Sequence, residues 1–371
     1  MKERSGRIEK KIAKDPIFGT TLWQLTDYEA HHIHPYYDID SWSPDGKKIV
    51  FSAAYDKDVA FSDPYMYTPD QGNLLTYDTE TDKIEWLADG LGFNSHTGVF
   101  PFWTPDGKCI VCGESVKTAA ADRSIKIFDA ASHKLVKQVD GLHPRQMSPD
   151  GTRILCQSDI GVVLYDFATG NQRVLYSFTQ IISHLPVYDG SYAEQAVVAN
   201  LKWNHDGTRF LFRFSFKPGE YMKSLYVGEA DGSKLTRLDG PTLKFHHPSW
   251  VPRENRILFG DWDANGEPHI FHIDFDGKNC NQISKRHLHG HPIYNPAGTQ
   301  IITDNYKGEE YGRSILLYDL KSDTVRQIAS FTVNFVRSNA HPVWNHDGTQ
   351  ILYHSDHTGH SQLYIIPLAE L

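Results

Sequence analysis

"VWNHDGTQILY", Val343 to Tyr353, reads as two short strands about a tight turn. Trp344 ends one apolar segment, Asn-His-Asp-Gly follows, and Ile351-Leu352-Tyr353 runs apolar again. Asp-Gly between two such runs is a hairpin signal, because glycine takes the positive φ of the turn without steric cost. The phrase recurs along the chain. It stands as "SWSPDGKKIVF" about Trp42, "FWTPDGKCIVC" about Trp103, "QMSPDGTRILC" about Met147 and "KWNHDGTRFLF" about Trp203. It continues as "SWVPRENRILF" about Trp250 and "IYNPAGTQIIT" about Tyr294, and the copy at Trp250 carries Arg253-Glu254-Asn255 for Pro-Asp-Gly.

Neighbouring anchors are 44 to 61 residues apart. Behind each hairpin come two more strand-like runs, such as "SILLYDLKSD" from Ser314 and "TVRQIAS" from Thr324. Four short strands per repeat at this spacing make one blade of a β-propeller. In the last repeat "SQLYIIPL", Ser361 to Leu368, is followed by no fourth strand, whereas "GTTLWQLTD", Gly19 to Asp27, reads like one. The expectation is an all-β, seven-bladed β-propeller forming a single domain over residues 1–371. Residues 1–18 would be an N-terminal extension, and residues 19–27 would close the ring by pairing with the last blade, which removes a sheet edge. A ring of six or eight blades is the alternative count.

Composition narrows the partners. The net charge is −9, and a sequence-independent grip on nucleic acid needs a basic surface, so no nucleic-acid partner is expected. The start, "MKERSGRIEKKIAKDPIFG", is charged, and no apolar run long enough to span a bilayer follows. No membrane partner is expected, and the expected location is cytoplasmic. Cys109 and Cys112 have CxxC spacing, but within a strand positions i and i+3 face opposite ways. They read as buried structural cysteines rather than a zinc pair, and all four cysteines, with Cys156 and Cys280, suit reduced thiols.

In a propeller the first strand of each blade lines the central channel, so the side chains just ahead of each anchor gather at one mouth. They are His31, His32 and His34, then His96, then His143 and Arg145, then Asn200 and Lys202. The last three blades give His246 and His247, His289 and His291, and Asn339 and His341. His247, His291 and His341 share one register, three residues before the aromatic. Imidazoles at one height on adjacent blades are able to meet around one ion. The structural alternative is a repeat-borne His-Pro element whose imidazoles bond neighbouring blades. His354, with His357 and His360, flanks the loop between strands two and three on the same face. His205 and His346, inside Asn-His-Asp-Gly turns, read as solvated, and His269 and His272 as structural residues of an outer strand.

At "HHPSWVP", "GHPIYNPAG" and "AHPVWNHDGTQILYHSDHTGHSQLYIIPL" the chain resembles the oligogalacturonate lyases, seven-bladed propeller enzymes of pectin breakdown. The tandem Pro-Asp-Gly repeats alone are shared with TolB-like propellers. The resemblance implies β-elimination on a uronate oligosaccharide, an acidic partner, and one divalent ion, Mn2+ above others. By register it implies His291 and His341 as metal ligands with Asn339 beside them, and His247 as the base with His246 as the alternative. Asn339 stands where the family has a histidine and Val336 where it has a glutamine. Arg145, Lys223, Arg337, His143 and His354 are the candidate substrate contacts, and Tyr36, Tyr37 and Trp262 offer stacking surfaces. A lyase of another uronate glycan and a non-catalytic TolB-like binding module are the other readings. Chain length of the substrate and oligomeric state are not fixed by the sequence.

Overall fold

The computed structural model describes residues 1–55, 67–113, 123–184, 197–216, 222–238, 244–306, 311–333 and 339–371. Each repeated turn folds as its chemistry dictates. In the first, the Ser43 hydroxyl donates to Asp45 Oδ1 at 2.6 Å and accepts from the Lys48 amide at 2.8 Å, while Gly46 takes φ 71°. Gly348 does the same at φ 73°. The departing turn has no glycine, and Arg253 takes the left-handed conformation instead, at φ 62°.

These hairpins build seven antiparallel sheets, and the fold is an all-β, seven-bladed propeller. The chain divides into two compact units. Residues 1–140 and 289–371 form the first, which holds blades one, two, six and seven; residues 141–288 form the second, with blades three, four and five. Blade six runs Ile293–Tyr294, Gln300–Asn305, Ser314–Asp319 and Thr324–Ser330. Blade seven begins with Val343–Trp344, Gln350–Ser355 and Gln362–Pro367. In the second unit the inner hairpins are His143–Met147 with Arg153–Gln157, Val197–Trp203 with Arg209–Phe216, and His246–Trp250 with Arg256–Trp262. The one described α-helix, Phe178–Ser183, is short and capped by Ser177 and Gln180.

Three of the tryptophan anchors supply more than apolar area. Trp103 Nε1 donates to the Ser41 carbonyl at 3.2 Å, Trp250 Nε1 to Lys202 at 3.2 Å, and Trp344 Nε1 to Ile293 at 3.3 Å. Each acceptor stands one residue before the preceding blade's anchor. The indole thus fills the core between blades and pins one inner strand to the next, with its only polar atom satisfied.

The N-terminal strand closes blade seven as expected. Thr21–Gln24 pairs with Gln362–Pro367, with Trp23 opposite Ile365. The first eighteen residues do more than extend the chain. Lys11–Lys14 adds a fifth strand beyond Thr21–Gln24, and Arg7–Ile8 pairs with Lys83 and Ile84 on blade one. Buried Arg4 joins them, bonded to Glu9 at 2.6 Å and 2.9 Å and lying 2.7 Å from His32 Nε2. The segment therefore stitches the last blade to the first.

Candidate functional site

The backbone sets the candidate residues before their chemistry is considered. Three positions ahead of the anchor, Phe100, Asn200, His247 and His341 all adopt positive φ, between 47° and 53°. In blades four and five the strand pairing shifts there, a bulge that re-aims the side chain. The strain belongs to the repeat, since Phe100 shares it, so it does not by itself mark a site.

In blades six and seven this position carries imidazoles, and they pack together. His291 and His341 have ring centroids 4.5 Å apart at 90°. His96 lies 4.8 Å and His354 5.7 Å from His341, and His34 lies 5.0 Å from His354. Tyr36 touches the group, 4.6 Å from His341 and 5.3 Å from His291, and its hydroxyl is 3.1 Å from His291 Nε2. Burial, reinforced by the neighbouring imidazoles, holds His341 and His354 well below the usual histidine range. Burial brings His34 down to about 4. These rings are neutral at pH 7, the form that accepts a proton or ligates a cation.

Asp304 organises the cluster, and the sequence reading missed it. It is fully buried at the end of the second strand of blade six. Its Oδ1 accepts from the His291 amide at 2.9 Å and faces His291 Nδ1 at 2.8 Å; its Oδ2 accepts from the His341 amide at 2.9 Å. A signal existed. Ten residues after each anchor the blades carry Ser52, Gly113, Gln157, Arg213, Gly260, Asp304 and His354. Only one of these is a carboxylate.

The other expected residues are distributed as follows. Asn339 is half-buried, and its backbone lies against the His354 ring. In the second unit His143 is buried opposite Gln157. Arg145 is also buried, where it donates to the Val198 carbonyl at 2.9 Å and Gln157 Oε1 at 3.2 Å. Its guanidinium is committed to a carbonyl and an amide, and so differs from a solvent-facing substrate arginine. His246 and His247 are half-buried, with the His246 ring 4.5 Å from Trp262. Lys223 is on the strand Met222–Glu229, its side chain beyond the described part. Arg337 and Val336 lie outside the described residues. Tyr37 is buried within 4.9 Å of the His291 ring.

His346 is an exposed turn residue as expected, and its Nε2 also pairs with Asp40 of blade one at 2.6 Å. Of the CxxC pair, Cys112 is buried as expected and Cys109 is half-buried; Cys156 is buried and Cys280 exposed. His269 and His272 are buried on Pro268–Asp274, as a structural role requires.

The sequence matches no family model, and no curated protein is similar to it. Solved structures do match. One is an oligogalacturonate lyase in complex with manganese, 17% identical, with 98% of each chain covered and a TM-score of 0.74. Another is an oligogalacturonate lyase from Vibrio parahaemolyticus, 14% identical over 99% of this chain and 100% of that one, TM-score 0.72. The chain resembles these lyases in fold. A chain of a mitotic checkpoint complex also matches, 12% identical over 96% of this chain and 93% of that one, TM-score 0.55. At such identities the likeness establishes the architecture, and activity has to be argued from the residues.

Whether the residues suit a divalent ion follows from donor type and spacing. Two imidazoles on one ion, each bound at about 2.1 Å, hold their centroids roughly 4.5–5.5 Å apart. His291 with His341, and His341 with His96, fall in this range. An orienting carboxylate on His291 is the usual companion of a metal-bound imidazole. The donors fit in kind, although among the described residues no three His, Cys, Asp or Glu side chains converge to hold an ion.

Proposed function

We propose that this protein is a lyase that cleaves uronate-containing oligosaccharides, oligogalacturonate-like ones first, by β-elimination. The observation that carries the proposal is the packed group of imidazoles about Asp304, on a fold likened over nearly its whole length to two oligogalacturonate lyases.

The substrate is an anion, and the hydrogen on C5 beside its carboxylate is weakly acidic. Removing it accumulates a second negative charge on the carboxylate. His291 and His341 would hold a divalent cation, Mn2+ in this reading, with Asn339 as a further oxygen donor. When bound, it supplies positive charge to the uronate carboxylate where the elimination needs it. His247, or His246 beside it, takes the C5 proton; a well-placed neutral histidine contributes roughly 10²–10⁴-fold. The C5 electron pair then forms the C4–C5 double bond as the C4–O4 bond breaks, the departing O4 takes a proton from water, and a 4,5-unsaturated uronate end is released. His143, His354, Lys223 and Arg337 are the proposed substrate contacts, with Arg145 supporting from within the blade. The same chemistry on another uronate glycan is the companion proposal, and the protein works in the cytoplasm.

The test is incubation of purified protein with oligogalacturonates and other uronate oligosaccharides. The ultraviolet absorbance of the conjugated product is followed with added Mn2+ and with chelator. The proposal expects unsaturated product, lost on chelation. Absence of product from every substrate would overturn it in favour of a binding propeller.

A further inference from the structure

We infer that Asp304 is a positioning residue that fixes the ring tautomer of His291 and ties that ring to His341 on the next blade. The geometry leaves the carboxylate one role. Oδ1 already accepts the His291 amide at 2.9 Å and stands 2.8 Å from Nδ1 of the same residue. At that separation an unprotonated nitrogen would set lone pair against lone pair, so Nδ1 carries the hydrogen and donates it. In the neutral ring Nε2 then keeps its lone pair, and the Tyr36 hydroxyl 3.1 Å away is the donor that meets it. A carboxylate behind an imidazole settles in this way which nitrogen stays available to a cation or substrate.

The second oxygen extends the device across blades. Oδ2 accepts the amide of His341 at 2.9 Å, and His341 presents that amide from a left-handed conformation, φ 49°. One carboxylate thereby sets two histidines of neighbouring blades in register. Gly290 makes the approach possible. It has φ 112°, and a Cβ there would collide with the Asp304 carbonyl and its Oδ1. The equivalent position in the other blades holds no carboxylate, so the arrangement is not a general support of the repeat.

The catalytic consequence rests on the lyase reading, whereas the tautomer does not. The test is nitrogen-proton NMR of the histidine rings in labelled protein at neutral pH, with His291 assigned from its loss in His291→Gln. The expected result is the Nδ1–H form of His291 in the native protein. In Asp304→Asn that form gives way to the Nε2–H form or a mixture, and kcat falls about 10–100-fold with KM largely kept. An Nε2–H His291 in the native protein overturns the proposal, and so does an Asp304→Asn protein with an unchanged tautomer. The native spectrum decides alone if the variant does not fold. No product from native protein whose His291 is in the Nδ1–H form defeats the lyase reading and leaves this one standing. Product from a protein whose His291 is in the Nε2–H form does the reverse.

Discussion

The inner strands of blades six and seven and those of blades three and four carry opposite chemistry. In the former they carry His291, His341 and His354 about one buried carboxylate, Asp304, with His341 and His354 held neutral by burial. In the latter they carry Arg145, Gln157, Lys202 and Arg213. There the Arg145 guanidinium and the Lys202 ammonium donate to the carbonyls of Val198 and Pro248. The hairpin and anchor supply a buried inner strand, and the side chains on it decide what it does. Buried cations tied to carbonyls brace one blade against the next. Buried imidazoles packed on each other have little to gain as braces, because burial disfavours the only charge they offer.

The largest expected effect breaks the comparison if it fails. His247→Asn keeps a residue that tolerates positive φ, so the blade holds while turnover drops by about 10²–10⁴-fold. Asn200, at the same position and φ, becomes the control: Asn200→Gly leaves product formation close to native. Kinetics on oligogalacturonates beside thermal unfolding separates the two. Equal losses from both variants would mean that the position, not the imidazole, matters.

Arg145→Met tests the bracing half. It removes two hydrogen bonds of a buried cation and leaves the Val198 carbonyl without its donor. The expected loss is about 1–3 kcal/mol of unfolding free energy, read from denaturant midpoints. Stability unchanged within error would release Arg145 for a direct substrate role.

Acid should weaken the imidazole-rich unit. Burial lowers the folded pKa of His34 to about 4, whereas the unfolded value is near 6.5. The unfolded chain binds the proton more readily, so stability is full above pH 6.5 and declines as pH falls towards 4. His272, in the second unit, has the same sign, lowered to about 4 by burial and by Arg256. Each contributes on the order of 2–3 kcal/mol over that window. Unfolding free energies across it, with His34→Gln flattening part of the slope, check the assignment.

His346 and Asp40 give the smallest effect and the opposite slope. The Asp40 carboxylate raises the His346 pKa, so the pair stabilises below the unfolded value and fades as pH rises through the folded one. Both side chains are 40% exposed or more, which limits the pair to about 0.5 kcal/mol. A larger loss in His346→Ala would assign it a bracing role like that of Arg145.

Blade number, the closing strand and the inner position of His291, His341 and His354 were legible because turn chemistry and hydrophobic period are local. Asp304 was not, since its partners lie thirteen and thirty-seven residues along the chain and only strand pairing brings them to it. The partner of His346 was hidden for the same reason, because Asp40 reaches it from blade one. The sequence by itself determined the repeat, its anchors and the strand that closes it, all properties of neighbouring residues. Tertiary structure alone decided which imidazoles touch, which are kept neutral by burial and which carboxylate orients them. Those properties depend on water excluded and on distances between segments far apart in the chain.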